Sequence, residues 1–262
     1  MEGRRKKSAR HVAPNLLQGG FLPAWVHMRR SWARDTIDVP VAAGHSPNQS
    51  SMRITEIYAC IQGETQYAGT PCTLVRTTGC DLRCSYCDTT YAFSGGKEMS
   101  IDDVMLEVRR LGLSTVALTG GEPMLQAEIS TLAERLVGEG FRVMLETSGT
   151  HPVAHLPPAV IRIVDIKTPG SGEVERNSWD VLHGLRPQDA IKFVLCDEAD
   201  YLWSVEVVRS RGLSGRAELL FSPAAGKIEP RDLAAWILRD RLPVRLNLQV
   251  HKYIWGAATR GV

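Results

Sequence analysis

The chain lacks any long apolar run. None of its hydrophobic stretches approaches the ~18–20 residues that cross a bilayer, so we expect no membrane span and no membrane partner. It also lacks internal repeats, and it shows no low-complexity segment beyond its first 51 residues. Solenoid and other repeat architectures are therefore excluded.

Cysteine is scarce. Six cysteines in 262 residues, three of them clustered, do not resemble the disulfide framework of a secreted domain. We therefore expect a reducing, cytoplasmic location. The three cysteines outside the cluster lie in apolar, strand-like contexts and are predicted to be core thiols: Cys60, Cys72 and Cys196.

The main part of the chain has no excess of basic charge. Eight Lys and Arg against three acidic residues give residues 1–51 a net charge of +5, which leaves −3 for residues 52–262 out of the total of +2. Nucleic-acid binding domains are usually strongly basic, so this balance favours a small-molecule substrate and no nucleic-acid partner.

Residues 1–51 differ from the rest. Prolines and glycines interrupt any apolar core that a signal peptide would need, and no helical or strand period persists. We predict that this segment is a disordered extension or an upstream start. Residues 52–262 are predicted to form one folded domain.

Strands and helices alternate after Met52. Continuous apolar strands separated by helices predict a parallel sheet covered by helices, in the α/β class. About six βα units are present, fewer than the eight of a closed barrel, so we predict a partial (β/α)6 barrel. The predicted strands are Arg53–Ile61, Cys72–Thr77, Thr115–Thr119, Phe141–Glu146, Val160–Ile166, Ala190–Cys196, Glu218–Phe221 and Val244–Val250.

Polar side chains collect where these strands end. In parallel α/β folds, ligands bind at the edge formed by the carboxyl ends of the strands. The polar residues at or just past these ends are Thr119, Glu146, Asp165, Lys167 and Ser222. The sequence therefore predicts the functional site at this edge.

The most informative feature is the run of Cys80, Cys84 and Cys87. A structural zinc site or an ordinary iron–sulfur cluster uses four protein ligands. Three thiols on a 4Fe–4S cluster leave one iron open for a ligand that is not protein. Zinc completed by a distant His or Cys is the alternative, although no second ligand pair lies nearby in the sequence.

The Cys-x3-Cys-x2-Cys spacing, with the aromatic Tyr86 before the third cysteine, resembles the signature of the radical S-adenosylmethionine (SAM) enzymes. In that superfamily the open iron chelates SAM. The resemblance implies a partial barrel and cofactor contacts from Tyr86, Asp88, Gly121, Glu122, Ser148, Asp165, Ile166, Lys167 and Ser222. The alternatives are a structural Asp165–Lys167 ion pair and a merely packed Tyr86.

A second set of residues is more specific. Residues 61–64 (Ile-Gln-Gly-Glu), Arg76, Cys87-Asp-Thr89 and residues 249–253 (Gln-Val-His-Lys-Tyr) resemble the 7-carboxy-7-deazaguanine synthases, a radical SAM family. The resemblance covers residues 53–262. It implies conversion of 6-carboxy-5,6,7,8-tetrahydropterin to 7-carboxy-7-deazaguanine with loss of ammonia. Another compact radical SAM enzyme, such as a glycyl-radical activase, is the first alternative, and a zinc-stapled binding protein is the second.

The same resemblance implies the remaining roles. Thr89 is the expected Mg2+ ligand, and Arg76 suits the substrate carboxylate because its planar fork binds carboxylates at two points. The substrate contacts are expected from Ile61, Gln62, Gly63, Glu64, Arg76, Thr119 and Val262, and the catalytic set from Cys80, Cys84, Cys87, Arg76 and Thr89. A homodimer and an electron donor such as flavodoxin or ferredoxin are implied as well.

Three positions stay open. Thr65 departs from the family, in which glycine is common after Gln-Gly-Glu, and this departure leaves the local turn uncertain. His251 and Lys252 have no assigned role, because a histidine at a strand end is more often structural than catalytic.

Overall fold

The computed structural model describes residues 51–256 and 259–261. The predicted extension therefore lies outside the described residues except for Ser51, and so does Val262. The proposed domain boundary stays a prediction.

The described residues contain nine strands and five α-helices. The strands are β1 (Ser51–Ile61), β2 (Pro71–Thr77), β3 (Lys97–Ser100), β4 (Thr115–Gly120), β5 (Arg142–Thr147), β6 (Ile161–Ile166), β7 (Ala190–Leu195), β8 (Glu218–Pro223) and β9 (Arg245–Leu246). The helices are α1 (Ile101–Leu111), α2 (Ile129–Gly138), α3 (Glu198–Ser210), α4 (Pro230–Asp240) and α5 (Val250–Trp255). Each α-helix in this part of the chain is too short or too polar to span a bilayer.

The strands form one sheet in the order β3-β1-β2-β4-β5-β6-β7-β8-β9. From β2 to β9 all neighbours are parallel, whereas β1 runs antiparallel to both β2 and β3. The predicted α/β fold with a parallel sheet that stops short of closure is confirmed. The carboxyl ends of the seven parallel strands consequently face one edge, where the polar residues collect.

Side chains alternate between the two faces of the sheet, since successive residues of a strand point to opposite sides. On one face, Val116 and Leu118 of β4 join the large core that packs against the helices. On the other, Ala117 joins a smaller cluster with Met144, Ile163 and Cys72.

One strand prediction was wrong, and one strand was not predicted. The predicted strand Val244–Val250 is a strand only at Arg245–Leu246, and its last residue begins helix α5. Sheet pairing ends there because Asn247 turns its amide toward Ser222 (2.8 Å) and the backbone N–H of Val250 donates to Gly63 (2.8 Å). The short edge strand β3 was missed because its Lys-Glu-Met-Ser sequence carries little β-propensity.

The turn at Thr65 has a defined geometry. Thr65 has φ +67°, in the left-handed region that a β-branched residue rarely adopts, which explains why glycine suits this position. Its hydroxyl accepts a hydrogen bond from the Tyr67 backbone N–H (3.1 Å), and the side chain is buried. The turn after Gln-Gly-Glu therefore forms with threonine at the position where glycine is common in the family.

Candidate functional site

The three clustered cysteines lie on the loop that follows β2. Their thiols are free and partly buried. The loop turns on itself: the Cys87 N–H donates to the Cys84 carbonyl (3.1 Å), and the Leu82 N–H donates to the Cys80 sulfur (3.4 Å). Burial raises the pKa of Cys84 to about 11 and raises that of Cys80, so these sulfurs are thiols until a metal displaces their protons.

Two neighbouring segments hold this loop in place. The Ser85 N–H donates to the Ser171 carbonyl (2.9 Å), and the Ser85 hydroxyl donates to the Gly170 carbonyl (2.7 Å). On the other side Gly121 packs so closely that a Cβ there would lie 2.2 Å from the Gly79 carbonyl oxygen. Glycine is required at position 121 because any side chain would push the cysteine loop away.

The donor set fits a cluster better than a single ion. Among the described residues, no three His, Cys, Asp or Glu side chains gather tightly enough to ligate one metal ion. Cysteines that bind a 4Fe–4S cluster each take a different iron atom, so their sulfurs stand farther apart than the four ligands of a zinc ion. Three free thiols on one loop are the donor number of a 4Fe–4S cluster with one iron open, whereas a structural zinc ion requires a fourth protein ligand.

Glu122 anchors the next segment from inside the protein. Its carboxylate is fully buried and accepts hydrogen bonds from the Thr147 hydroxyl (2.8 Å) and from the backbone N–H groups of Ser148 (2.6 Å) and Met124 (2.9 Å). Because these donors occupy it, Glu122 ties the end of β4 to the end of β5. Gly121 and Ser148 are thereby fixed at one wall of a cavity.

That cavity, of about 140 Å³, is the smaller of two at the carboxyl edge of the sheet. Four predicted cofactor-binding residues line it: Gly121, Ser148, Asp165 and Lys167. Lys167 Nζ lies 3.3 Å from Asp165 Oδ1, so the ion pair considered as an alternative is present. Both charges nevertheless border the cavity, and the ion pair does not remove them from the site.

The larger cavity measures about 420 Å³ and contains the second predicted set. The predicted substrate and magnesium residues that line it are Ile61, Gln62, Gly63, Glu64, Arg76, Thr89 and Thr119, and Asp88, which was predicted to bind the cofactor, lines it as well. Four residues border both cavities: Thr119, Gly120, Glu146 and Lys192. The two spaces are therefore neighbours that share these residues in their walls.

Arg76 is oriented by a buried partner. Its Nε donates to Glu56 Oε1 (2.6 Å), and the Tyr91 hydroxyl donates to the same oxygen (2.8 Å). Arg76 is mostly buried, with 13% of its side chain exposed. Since Nε is occupied, the two terminal nitrogens of the guanidinium are left for a carboxylate in the cavity.

Lys192 was not predicted, yet it stands between the two cavities. It lies beside Asp165 in the β6–β7 register, its ammonium contacts Glu64, and Asp165 Oδ2 is 3.9 Å away. Burial acts to lower the pKa of Lys192, but the nearby carboxylates of Glu64, Asp165 and Glu146 raise it overall. This lysine is a permanent cation that links one predicted substrate residue to one predicted cofactor residue.

Glu146 is a second residue that borders both cavities and was not predicted to bind substrate or cofactor. Burial raises the pKa of Glu146, and its Oε1 accepts a hydrogen bond from Gln62 Nε2 (3.2 Å). A carboxyl group whose pKa is raised and which borders both cavities can hold or release a proton at the site. The sequence offered one indication, its position at the end of a strand.

Helix α5 closes the larger cavity. The His251 ring packs on Gly63, where an added Cβ would meet Nδ1 at 1.8 Å. Gln249 Nε2 donates to Glu64 Oε1 (2.7 Å), and Lys252 Nζ donates to Asp88 Oδ2 (2.6 Å). Burial acts to raise the pKa of Asp88, but the hydrogen bonds from Lys252 and its neighbours outweigh this effect and lower it to about 2. His251 and Lys252 thus join the helix to both predicted binding segments.

Replacing Gly63 with alanine is therefore expected to displace helix α5, because the new methyl group would occupy the position of the His251 ring. We expect substrate affinity to fall by roughly tenfold or more, since small displacements of binding groups have large effects. The matched control is Gly138→Ala, at a helical glycine with open space around it. Substrate titrations of both variants test this, and equal affinities would contradict it.

Seven predicted residues in the described part of the chain line neither cavity: Cys80, Cys84, Cys87, Tyr86, Glu122, Ile166 and Ser222. Tyr86 is partly buried with a hydroxyl that has no hydrogen-bonding partner among the described residues, Ile166 lies in the core, and the Ser222 hydroxyl accepts from Asn247. Val262 lies outside the described residues. Their ligand contacts stay predictions, although the unsatisfied hydroxyl of Tyr86 is a polar group that a ligand can satisfy.

Comparisons with known proteins agree with this geometry. The model of the radical SAM superfamily matches residues 74–165. The 7-carboxy-7-deazaguanine synthase of Koribacter versatilis is 46% identical over 226 residues, covering 80% of this chain and 100% of that protein. The corresponding synthase of Chlorobaculum tepidum is 43% identical over 217 residues, covering 82% of this chain and 99% of that protein.

Among solved structures, QueE from Escherichia coli matches with a TM-score of 0.64 at 22% identity, covering 76% of this chain and 94% of that one. This likeness shows the fold, whereas the two relatives show the family. With the cysteine loop, the glycine at position 121 and the paired cavities in place, the chain belongs to the 7-carboxy-7-deazaguanine synthase family of the radical SAM superfamily.

Proposed function

We propose that this enzyme converts 6-carboxy-5,6,7,8-tetrahydropterin to 7-carboxy-7-deazaguanine with loss of ammonia. The observation that carries the proposal is the lining of the larger cavity. At the edge of the sheet from which the cysteine loop extends, the guanidinium of Arg76 lines this cavity together with amide and carboxyl groups such as those of Gln62 and Glu64. The names of the relatives agree with it. A glycyl-radical activase gives no reason for Arg76, Thr89 and Gln62 to face one cavity.

The superfamily uses a 4Fe–4S cluster and SAM, which when bound supply a 5′-deoxyadenosyl radical that takes hydrogen from substrate carbon. Cys80, Cys84 and Cys87 would hold the cluster. Gly121, Ser148, Asp165 and Lys167 would hold SAM in the smaller cavity. The protein's contribution is placement and exclusion of water.

Recognition of the pterin falls to the first turn after β1. The side-chain oxygen Oε1 of Gln62 accepts from the Glu64 backbone N–H (3.2 Å), and its Nε2 donates to Glu146 Oε1, so this side chain has one fixed orientation. A pterin edge alternates donors and acceptors, which a fixed amide beside two carboxyl groups can match. Glu64 and Glu146 would accept from ring N–H groups, and Glu146 can take up or release a proton.

Arg76 would bind the C6 carboxylate through its two terminal nitrogens, while Glu56 keeps the guanidinium plane fixed. A group held at two points cannot rotate about its bond to the ring. The ring is thereby oriented so that a single hydrogen faces the smaller cavity. Lys192, at the boundary of the two cavities, would keep Glu64 ionised on one side, and it lies 3.9 Å from Asp165 on the other.

Mg2+ is proposed at Thr89. The Thr89 hydroxyl donates to Asp88 Oδ1 (3.0 Å), which leaves its oxygen lone pairs for a cation. One hydroxyl is a weak site alone, but Mg2+ keeps several waters and takes ligands from a substrate carboxylate. Asp88, held by Lys252, would orient this ligand.

Replacing Thr89 with alanine is expected to raise the Mg2+ concentration needed for half-maximal product formation by ~10–100-fold, because a ligand to the ion is lost. Thr90→Ala, at an exposed neighbouring threonine, serves as the control. Product formation titrated with Mg2+ measures the effect. The assignment of Thr89 is refuted if both variants titrate alike.

Two further assignments rest on the family resemblance: a homodimer, and reduction by a small electron carrier such as flavodoxin or ferredoxin. Analytical ultracentrifugation of the cluster-loaded protein tests the first. Reduction of the cluster by each carrier, followed by electron paramagnetic resonance, tests the second.

The direct test of function is anaerobic reconstitution of the cluster, followed by SAM, a reductant, Mg2+ and 6-carboxytetrahydropterin. We expect 7-carboxy-7-deazaguanine by mass spectrometry. Formation of 5′-deoxyadenosine without this product would retain the radical SAM chemistry and discard the substrate. A colourless protein with stoichiometric zinc would discard both.

A further inference from the structure

Cys60 and Cys72 face each other across the β1–β2 pair. They are directly opposite in the register, and their sulfur atoms lie 3.6 Å apart. Cys72 is completely buried in the inner-face cluster, whereas Cys60 is partly buried and lines the larger cavity. The two thiols are therefore in contact, and the Cys60 thiol can be reached from the cavity.

Their backbone placement permits a covalent link. Opposed residues of antiparallel strands have Cα atoms about 4.5–5.5 Å apart, inside the range of about 4.4–6.8 Å for disulfides. Their Cβ atoms are usually about 4.5–5.5 Å apart, against about 3.5–4.5 Å in a disulfide, so closure draws the strands together by about 1 Å. Such a bond is strained and easily reduced.

We propose that Cys60 and Cys72 form a reversible modification site, which hydrogen peroxide entering the larger cavity converts to an intramolecular disulfide. The peroxide reaches the Cys60 sulfur first: an S–O bond forms, the O–O bond breaks, and one water leaves, giving a sulfenic acid. The Cys72 sulfur then attacks the Cys60 sulfur, the S–S bond forms, the S–O bond breaks, and a second water leaves. Two thiols lose two electrons and two protons, and the peroxide is reduced to two waters.

The local chemistry supports this division of roles. Cys60 has the access, because its side chain borders the cavity. The hydrogen bond with Cys72 and burial raise the pKa of Cys60, whereas the same hydrogen bond lowers the pKa of Cys72, so reaction of Cys60 with the peroxide requires its proton to pass to the Cys72 sulfur, 3.6 Å away. Cys196, partly buried at the end of β7, has no such thiol neighbour among the described residues.

The Cys60–Cys72 disulfide would also affect substrate binding, and this consequence rests on the proposed function. Cys60 immediately precedes Ile61, Gln62 and Gly63, so contraction of the strand pair moves the segment proposed to bind the pterin. A shift of about 1 Å in a binding group lowers turnover by up to ~10²-fold. The cysteine loop starts after the other end of β2 and is not displaced.

The test is anaerobic titration of the cluster-loaded full chain with up to one equivalent of hydrogen peroxide, followed by thiol alkylation and trypsin. No Lys or Arg lies between Ile54 and Arg76, so one tryptic peptide contains Cys60 and Cys72 and no other cysteine. We expect this peptide to lose both labels together, to become two hydrogens lighter, and to recover both labels after dithiothreitol. Cys196→Ser should give the same result, whereas Cys72→Ser and Cys72→Ala should prevent pairing.

Two outcomes would overturn the proposal. In the first, both labels persist while other cysteines oxidise; in the second, Cys60 reaches the sulfinic acid with Cys72 still labelled. For the consequence, substrate KM should rise about tenfold in the disulfide form and return after reduction. SAM cleavage without substrate, normalised to retained iron, should stay unchanged. An unchanged KM would show that the disulfide does not affect substrate binding. Peptide mapping tests the disulfide itself and does not depend on the proposed substrate.

Discussion

Cys84→Ala is expected to abolish SAM cleavage, with a loss of more than ~10³-fold in 5′-deoxyadenosine formation. Cys84 is the central thiol of the loop, and because alanine keeps the backbone carbonyl that accepts from the Cys87 N–H, the substitution removes only the sulfur. With only two thiolates, one iron of the cluster loses its protein ligand. The arrangement of three ligated irons and one open iron is lost as well. Iron content and 5′-deoxyadenosine, measured together after reconstitution, report the result.

Cys196→Ala is the matched control, since it removes a partly buried thiol from outside the loop. It should retain its iron and its SAM cleavage. If Cys84→Ala still held a full complement of iron and cleaved SAM, the three-cysteine assignment would be wrong. A loss of iron in both variants would indicate general instability, which a thermal melt of each protein distinguishes.

The cysteine loop and the glycine segment could be predicted because their chemistry is local. Three cysteines within eight positions, and a Gly-Gly-Glu at the end of a strand, carry their meaning in the sequence. The strand ends were predictable for a similar reason, since the carboxyl ends of parallel strands meet at one edge. The structure places Gly121 against Gly79 and Cys80 of the cysteine loop, and the SAM contacts of both segments stay predictions.

Lys192 could not be predicted in the same way. It lies within the apolar strand β7, between Ile191 and Phe193, where a single lysine does not change the strand pattern. Its partner Glu64 is 128 residues away in the sequence. Only the register between β6 and β7, which places Lys192 beside Asp165, gives the lysine its position at the boundary of the two cavities.

The C-terminal segment was mispredicted because local pattern and tertiary contact conflict there. Val244, Leu246, Leu248 and Val250 alternate as in a strand. The actual conformation satisfies a different demand: the Val250 N–H donates to Gly63, and the His251 ring packs on the same glycine. Helix α5 is therefore fixed by its contact with the turn after β1, which local periodicity does not reveal.

Arg76→Ala is expected to spare the cluster and to lower kcat/KM for the pterin by about 10²–10³-fold, chiefly through substrate binding. Removing one partner of a buried charge pair costs about 2–5 kcal/mol, and here the Glu56 carboxylate also loses its ion pair. Arg76→Lys should be intermediate, because a lysine keeps the charge but not the two-point contact. Together these two variants separate the charge of the side chain from its geometry.

Arg53→Ala is the matched control for Arg76→Ala, because Arg53 also pairs with a glutamate, Glu98, but at the surface with 52% of each side chain exposed. Exposed pairs contribute little, so this variant should behave as the parent enzyme. The measurements are iron content, SAM cleavage and substrate KM. If Arg76 binds the substrate carboxylate, its removal must weaken substrate binding. An unchanged substrate KM in Arg76→Ala would therefore refute this role. Loss of iron in the same variant would instead assign Arg76 to the structure of the fold.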